Sequence, residues 1–364
     1  MKIAIVHDYL NQFGGAERVV QELHELFPDA PIYTSICDRS KMPAGINEAR
    51  IITSFMQNIP GIFKNYRKYF FLYPLAFSLF DLSEFDVILS SSSAYAKGVR
   101  KKKGQTHICY CYTPMRFVWR YRDYVKRESF PWIIKLLLPL FLFPIRMWDL
   151  ATAKRVDHFV AISRVIADRI RKVYKRKSVI IYPPVDCELF QPSGRNNGYF
   201  LVCSRLNAYK RIDIVVEAFN KLGLPLKVVG EGPDRERLVK LSQPNIEYFG
   251  RLSDSAIKEM VAECQGLVFP GEEDFGIVPV EAMAAGRPVV AFRGGGALET
   301  IVDGVTGIFF NNGTPEAIVD AVERLMRKKF DQFEIRKQAL KFDKSIFRQR
   351  MAELINEASK TSKQ

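Results

Sequence analysis

Short apolar runs of strand length, each followed by a segment of helical period, alternate along most of this 364-residue chain. A strand that is apolar throughout, not only at every second residue, has to be covered on both faces, and strand–helix alternation brings successive strands parallel. Ile3 to Val6 is the first such run; beyond the Gly14-Gly15 pair, Val19, Val20, Leu23, Leu26 and Phe27 recur at helical spacing. Val87 to Leu89, His107 to Tyr112, His158 to Ile162 and Val179 to Tyr182 continue the pattern. Pro183-Pro184 and the polar stretch from Ser193 to Gly198 read as a linker. The pattern then resumes with Tyr199 to Cys203, Leu226 to Val229, Ile246 to Phe249, Gly266 to Phe269 and Pro288 to Phe292. The expectation is an α/β chain of two Rossmann-like, doubly wound domains, residues 1–190 and 191–345, with a carboxy-terminal helix over 346–364 that packs back on the first. Two such domains place a ligand cleft between the carboxyl ends of facing strands.

Charge and cysteine usage narrow the function classes. Of a formal net charge of +14, residues 1–190 hold +12, with 29 basic against 17 acidic residues. A basic half suits an anionic partner such as a phospholipid surface or a phosphorylated acceptor, the plain alternative being a solvated face with no partner. Nucleic acid is not expected, since Lys101-Lys102-Lys103 is a short run with no RNP, KH or zinc-finger pattern beside it. The six cysteines form no C-x-x-C pair and the four histidines no cluster, so the reading is a reduced cytoplasmic chain without a metal site. The amino terminus enters a strand at once, without a signal-peptide pattern, which agrees with that compartment.

Two aromatic segments interrupt the alternation. In Ile62 to Phe80, the residues Tyr66, Tyr69, Phe70, Tyr73, Phe77 and Phe80 follow a helical period beside Lys64, Arg67 and Lys68. In Phe130 to Trp148, the apolar run Leu136 to Pro144 lies between Lys135 and Arg146. That run falls well short of the ~20 apolar residues that span a bilayer. Peripheral contact with the inner face of the plasma membrane and internal core or dimer packing are both open readings.

The chemistry concentrates between Phe269 and Pro288. A buried strand ends near Pro270, a glycine-containing loop follows, and Pro279 marks the start of a helix that Gly286 ends, which puts Glu281 in the first turn. Amides around Phe275, Gly276 and Ile277 are then suited to anionic oxygens and sugar hydroxyls. Glu273-Asp274-Phe275-Gly276-Ile277-Val278-Pro279-Val280-Glu281-Ala282 resembles the E-x7-E signature of family 4 glycosyltransferases, in its fuller form E-x-F-G-x-x-P-x-E-A. The fold of that family is GT-B. The resemblance implies that Glu273 lies against the donor sugar, that Glu281 accepts hydrogen bonds from the ribose, and that Phe275, Gly276, Ile277 and Val278 line the donor site.

Ser204-Arg205-Leu206-Asn207-Ala208-Tyr209-Lys210-Arg211 is similar to the family segment G-R-L-x-x-x-K-G, with Ser204 and Arg211 in place of its two glycines. It implies that Arg205 and Lys210 stabilise a diphosphate leaving group without a metal. Gly230-Glu231-Gly232-Pro233 and Phe249 to Asp254 resemble two further family turns, the second holding the base through Arg251 and Leu252. The Gly14-Gly15 loop of the family reaches the donor diphosphate or the transferred sugar. The amino-terminal half is most similar to bacterial mannosyltransferases of O-antigen and related polysaccharides. The residues responsible are Val6 to Leu10, Gly14 to Arg18, Ser90-Ser91-Ser92, Ala96-Lys97-Gly98 and Tyr110 to Arg116.

One position departs from the pattern. Many relatives carry a histidine before the Thr-Pro of the last motif, where this chain has Tyr112, which donates a hydrogen bond but carries no charge near neutral pH. The candidate catalytic residues are therefore Glu273, Arg205, Lys210 and Tyr112. The resemblance implies retaining transfer of mannose from GDP-mannose to a lipid-linked oligosaccharide, with no other cofactor. A UDP-sugar-dependent transferase, a nucleotide-sugar 2-epimerase and a catalytically silent nucleotide-sugar-binding homologue stay open as alternatives.

Overall fold

In the computed structural model, which describes residues 1–121 and 132–361, the apolar runs form parallel strands with buried faces. The chain divides into two compact units, Met1–Pro184 with the residues from Phe347 onward, and Val185–Ile346. The first unit holds β1 (Ile3–His7), β2 (Ile32–Thr34), β3 (Ile51–Thr53), β4 (Val87–Ser92), β5 (Thr106–Cys111), β6 (His158–Ala161) and β7 (Ser178–Ile180). Their order is β3-β2-β1-β4-β5-β6-β7, parallel throughout. Every residue of β1, β4 and β5 is buried, which is why these strands read as runs of apolar or small residues broken only by His7 and His107. Chain order reverses between β1 and β4, so the carboxyl ends of those two strands frame a crevice.

The second unit holds β8 (Phe200–Cys203), β9 (Leu226–Val229), β10 (Ile246–Gly250), β11 (Gly266–Phe269), β12 (Val289–Phe292) and β13 (Gly307–Phe310), in the order β10-β9-β8-β11-β12-β13. Helix Ile212–Leu222 turns Ile212, Val215, Val216 and Phe219 onto this sheet and ends at Gly223, which adopts φ +67°. Helix Pro315–Arg327 starts with proline at its first position and the Thr314 hydroxyl accepting from the Ala317 amide, and its Ile318, Val322 and Leu325 join the same core.

The division between the units falls at Pro184/Val185, within the expected linker, and the polar stretch after residue 192 is held in place: the Arg287 guanidinium donates to the carbonyls of Ser193 (3.2 Å) and Arg195, and the Asn197 amide donates to the Glu263 carbonyl at 2.9 Å. Those bonds tie it to the second unit, whose first residue is Val185. The first aromatic segment is broken into helix Ile62–Asn65, a tight turn Tyr66–Tyr69 and helix Tyr73–Ser78, with Pro74 at the start of the last. Most of the second segment lies in helix Trp132–Ala153, which contains Pro139 and Pro144; Phe130 and the side chains of Lys135, Leu136 and Leu137 lie outside the described residues. No helix among the described residues is long and apolar enough to cross a membrane.

Helix Lys344–Thr361 belongs, from Phe347, to the first unit. Phe347 is buried edge-on against Tyr110, with ring centroids 5.6 Å apart, and Arg348 pairs with Glu22 and Glu25 on helix Gly15–Leu26.

At the carboxyl edge of the second sheet, main chain lies directly on main chain. A Cβ at Gly230 would stand 1.9 Å from the Ser204 carbonyl oxygen, and the residue adopts φ +134°. A Cβ at Gly232 would stand 2.2 Å from the Leu206 oxygen. Gly230→Ala is expected to lower the unfolding free energy by about 3 kcal/mol or more, whereas Gly194→Ala, with open space around it, changes it by less than about 0.5 kcal/mol. Urea denaturation compares the two; a Gly230→Ala midpoint equal to wild type would show that the loops part at no cost.

Candidate active site

Where the second sheet reverses order, the loops leaving β8 and β11 bring Ser204, Lys210 and Glu273 to one small crevice with Cys203, Pro270 and Gly271. The Lys210 ammonium and the Glu273 carboxylate form an ion pair, their side chains 15% and 28% exposed. Lys210 ends a single tight turn, Ala208–Lys210, closed by its amide on the Asn207 carbonyl at 2.9 Å. Its ammonium also lies 5.3 Å from the centre of the Tyr209 ring. Arg205, in the same loop, is exposed and has no ion-pair partner among the described residues. Arg211, standing where the family pattern has glycine, adopts the left-handed conformation at φ +58°. Ser204, at the other replaced glycine, has no such φ.

The neighbouring loops are joined in series. The Ser204 amide donates to Val229 at 3.0 Å, the Leu206 amide to Glu231 at 3.0 Å, and the Gly230 amide to Gly250 at 2.7 Å. Arg251 is exposed and Leu252 half-buried just beyond.

From the other side, Gly294-Gly295-Gly296 supports the loop that carries Glu273. The Gly296 amide donates to the Glu273 carbonyl at 2.8 Å, and a Cβ at Gly295 or Gly296 would come within 2.1 Å of that oxygen or 2.3 Å of Phe275 Cα. Phe275 is buried against Phe342, with ring centroids 5.7 Å apart, and Gly276 adopts φ +87° at the start of helix Ile277–Ala284. That helix begins two residues before Pro279, so Glu281 sits in its second turn and not its first. Proline is tolerated throughout a first turn, because the amides there lack intrahelical acceptors, and so it marks a helix start only loosely. Ile277 and Val278 are half-buried and Glu281 is buried.

In the first unit, Gly14 is the residue before helix Gly15–Leu26, half-buried, with Gly15 exposed. Tyr112 follows β5 and is brought to this same turn: its hydroxyl donates to the Ala16 carbonyl at 2.9 Å and lies 2.8 Å from Ser91 Oγ. Burial pushes the phenol well above its ordinary pKa, so Tyr112 stands there as a neutral hydroxyl.

Asp8, immediately after β1, is almost wholly buried and accepts five hydrogen bonds from the loop that follows β4. One oxygen takes the Ser93 amide (2.6 Å), the Ser93 hydroxyl (2.8 Å) and the Ala94 amide (3.0 Å); the other takes the amides of Tyr95 (2.7 Å) and Ala96 (2.6 Å).

Sequence reasoning missed Asp8 and the triple glycine. Three successive glycines between a strand and a helix were a usable signal; Asp8 lay inside the Val6 to Leu10 motif, but nothing there pointed to its partners, which lie more than eighty positions away. Among the described residues, no three His, Cys, Asp or Glu side chains are grouped so as to hold a metal ion.

The sequence profile described as Glycosyltransferase Family 4 matches residues 13–189, and that described as Glycosyl transferases group 1 matches residues 187–342. An uncharacterised glycosyltransferase of Methanocaldococcus jannaschii is 28% identical over 175 residues, 47% of this chain and 50% of that one, so the chain spans about half the length of this relative. The α-1,3/1,6-mannosyltransferase ALG2 of Dictyostelium discoideum is 23% identical over 381 residues, covering 85% of this chain and 86% of its own. Among solved structures, HepE of Anabaena in complex with UDP aligns with a TM-score of 0.73 at 18% identity, covering 98% of this chain and 100% of that one, a likeness of fold. With two glycosyltransferase regions end to end over residues 13–342 of a two-sheet α/β chain of the GT-B kind, the protein belongs to the family 4 glycosyltransferases.

Proposed function

We propose that this glycosyltransferase is a retaining α-mannosyltransferase that uses GDP-mannose, without a metal, to extend a lipid-linked oligosaccharide in surface-polysaccharide assembly. The observation that carries the reading is the Lys210–Glu273 pair at the crossover of the second sheet, with the exposed Arg205 in the same loop. A diphosphate leaving group gains negative charge as the glycosidic bond breaks, and two cations offset that charge. In the free protein Glu273 neutralises Lys210. An arriving diphosphate carries more charge than one carboxylate, competes for the ammonium, and leaves Glu273 to the sugar hydroxyls. Glu281 is then assigned to the ribose, main-chain groups near Arg251 and Leu252 to the base, and the Gly14-Gly15 turn to the diphosphate or transferred sugar. Retention follows if the departing phosphate oxygen takes the acceptor's proton on the same face, a reaction that asks the protein for positioning and phosphate stabilisation. Mannose is supported by the likeness to ALG2 over 85% of the chain. A UDP-sugar donor is the second reading, favoured by the fold's likeness to HepE, which was solved in complex with UDP.

The acceptor's lipid implies a bilayer, and the first unit has a surface suited to the cytoplasmic face of one. Both aromatic segments bury inner residues in one cluster, among them Tyr73, Phe77, Leu142 and Ile145. They leave Phe71, Leu75, Leu79, Leu140, Phe141 and Phe143 more than half exposed. Lys64, Arg67 and Lys68 are exposed on the first of these segments. Apolar side chains flanked by cations fit an anionic lipid surface.

Calorimetry with EDTA present is expected to show GDP binding, weakened by about 1.5–3 kcal/mol in Arg205→Ala and in Lys210→Ala. Unchanged affinity in both variants would remove the phosphate assignment, and preference for UDP would move the donor class within the family. Glu273→Ala is expected to abolish transfer while circular dichroism stays that of the native fold; wild-type turnover would take Glu273 away from the donor sugar. Co-sedimentation with anionic vesicles is expected to be salt-sensitive and to fall when Leu140 and Phe141 are both replaced by Glu. Equal pelleting of wild type and variant would return the aromatic segments to core or dimer packing.

A further inference from the structure

Tyr112 occupies the place of a histidine in many relatives, and the directions of its hydrogen bonds show what the hydroxyl is engaged in. A carbonyl oxygen can only accept, so at 2.9 Å from the Ala16 carbonyl the Tyr112 hydroxyl is the donor. A phenol has one proton. Its 2.8 Å contact with Ser91 Oγ is therefore made by the serine hydroxyl donating to it. Ser91 has then used its own proton, and its Oγ accepts from His7 Nδ1 at 3.0 Å. The Ser91 carbonyl, 3.1 Å from the same Nδ1, independently requires that nitrogen to carry the hydrogen. The other ring nitrogen, Nε2, faces Glu17 Oε1 at 3.9 Å.

The chain of donors thus runs one way, from the end of β1 through the end of β4 and the residue after β5 to the first turn of helix Gly15–Leu26, and Glu17 in that turn faces its starting point. His7, Ser91 and Glu17 are nearly or fully buried, so the His7–Ser91 link is shielded from competition by bulk water, while the two links of the half-buried Tyr112 are shielded in part. Gly14, the residue before the helix, offers no side-chain cap, and nothing in its own chemistry fixes the turn.

We propose that His7, Ser91 and Tyr112 are positioning residues, a directional hydrogen-bond chain that fixes the Gly14-Gly15-Ala16 turn for the donor, and that Tyr112 acts through this turn without touching the sugar. The donor role of the turn rests on the function proposed above; its fixation by the chain does not.

The test uses the full-length protein with Tyr112→Phe, Ser91→Ala and the double variant. Hydrogen–deuterium exchange reads the turn directly, with or without turnover. Peptides covering residues 14–18 are expected to exchange roughly tenfold faster than wild type in each single variant, and in the double no faster than in either single, because either change breaks the same chain. Peptides of the second unit are expected to be unaffected. Where turnover is measured, the donor KM rises roughly tenfold in all three proteins while kcat stays within about twofold, the mark of lost donor positioning. Wild-type exchange over residues 14–18 in Tyr112→Phe would overturn the proposal, as would a fall in kcat at unchanged KM, which would make Tyr112 a substrate contact. Absence of turnover with every nucleotide sugar would count against the donor reading alone, since the exchange result still decides the chain.

Discussion

At Gly230 the main chain passes so close to the Ser204 carbonyl that no side chain fits, and the site of the second unit depends on that approach. A parallel sheet sends every strand's carboxyl end to the same edge, so the loops after β8, β9, β10, β11 and β12 compete for one strip of space. Glycine resolves the competition by letting backbone stack on backbone: Gly230 and Gly232 under the Ser204–Leu206 segment, Gly295 and Gly296 under Glu273 and Phe275. Lys210 and Glu273 are thereby delivered to each other by main-chain contacts that neither side chain makes. Losing either side chain alters charge at the site and leaves its frame intact, whereas a methyl group at Gly230 attacks the frame.

The first unit solves the same crowding with a side chain. Asp8 gathers the amides of Ser93 to Ala96 onto one carboxylate, which repays the burial of its charge with five short hydrogen bonds. The next residue of that loop, Lys97, is buried in turn and pairs with Asp149 on helix Trp132–Ala153. Asp149 also accepts from the Trp119 indole at 2.7 Å and the Tyr174 hydroxyl at 2.9 Å. The loop at the crossover is thus held at one end by β1 and at the other by the helix that displays Leu140, Phe141 and Phe143. Whatever holds that helix holds the loop through a buried ion pair, and breaking such a pair typically costs about 3–5 kcal/mol.

What could be read from the sequence was local. Long buried strands announced themselves as apolar runs, and the segment from Glu273 to Ala282 carried its strand–loop–helix context within twenty residues. The β2 and β3 strands, three residues each, are too short to show any period, and β13 is masked by Gly304, Gly307 and Gly313 around it. The first turn of helix Ile277–Ala284 was misplaced for a physical reason, since proline suits any position there. The partners of Asp8, Tyr112 and Lys97 were invisible because a hydrogen bond between residues 21 to 96 positions apart leaves no trace in spacing. In the first unit the crossover is built almost wholly from such long-range bonds, which is why its motif could be recognised by resemblance while its working parts could not.

The two glycines that this chain lacks in the Ser204–Arg211 segment are not equivalent losses. At Ser204 no left-handed φ is needed, and the side chain stays half-exposed, so serine enters at little cost. Arg211 does sit in the left-handed region, where a residue with a Cβ pays about 1–2 kcal/mol. Its guanidinium recovers part of this through Asp213 (3.3 Å) and the Gly313 carbonyl (3.3 Å), contacts that at a partly exposed site are worth less than about 1 kcal/mol each. The backbone keeps the glycine-like conformation regardless, because Lys210 on one side and helix Ile212–Leu222 on the other are already fixed by the loops and the core. Local preference is overruled here by the frame that carries Lys210 to Glu273, and the strain is held at the site where strain of this size commonly accumulates.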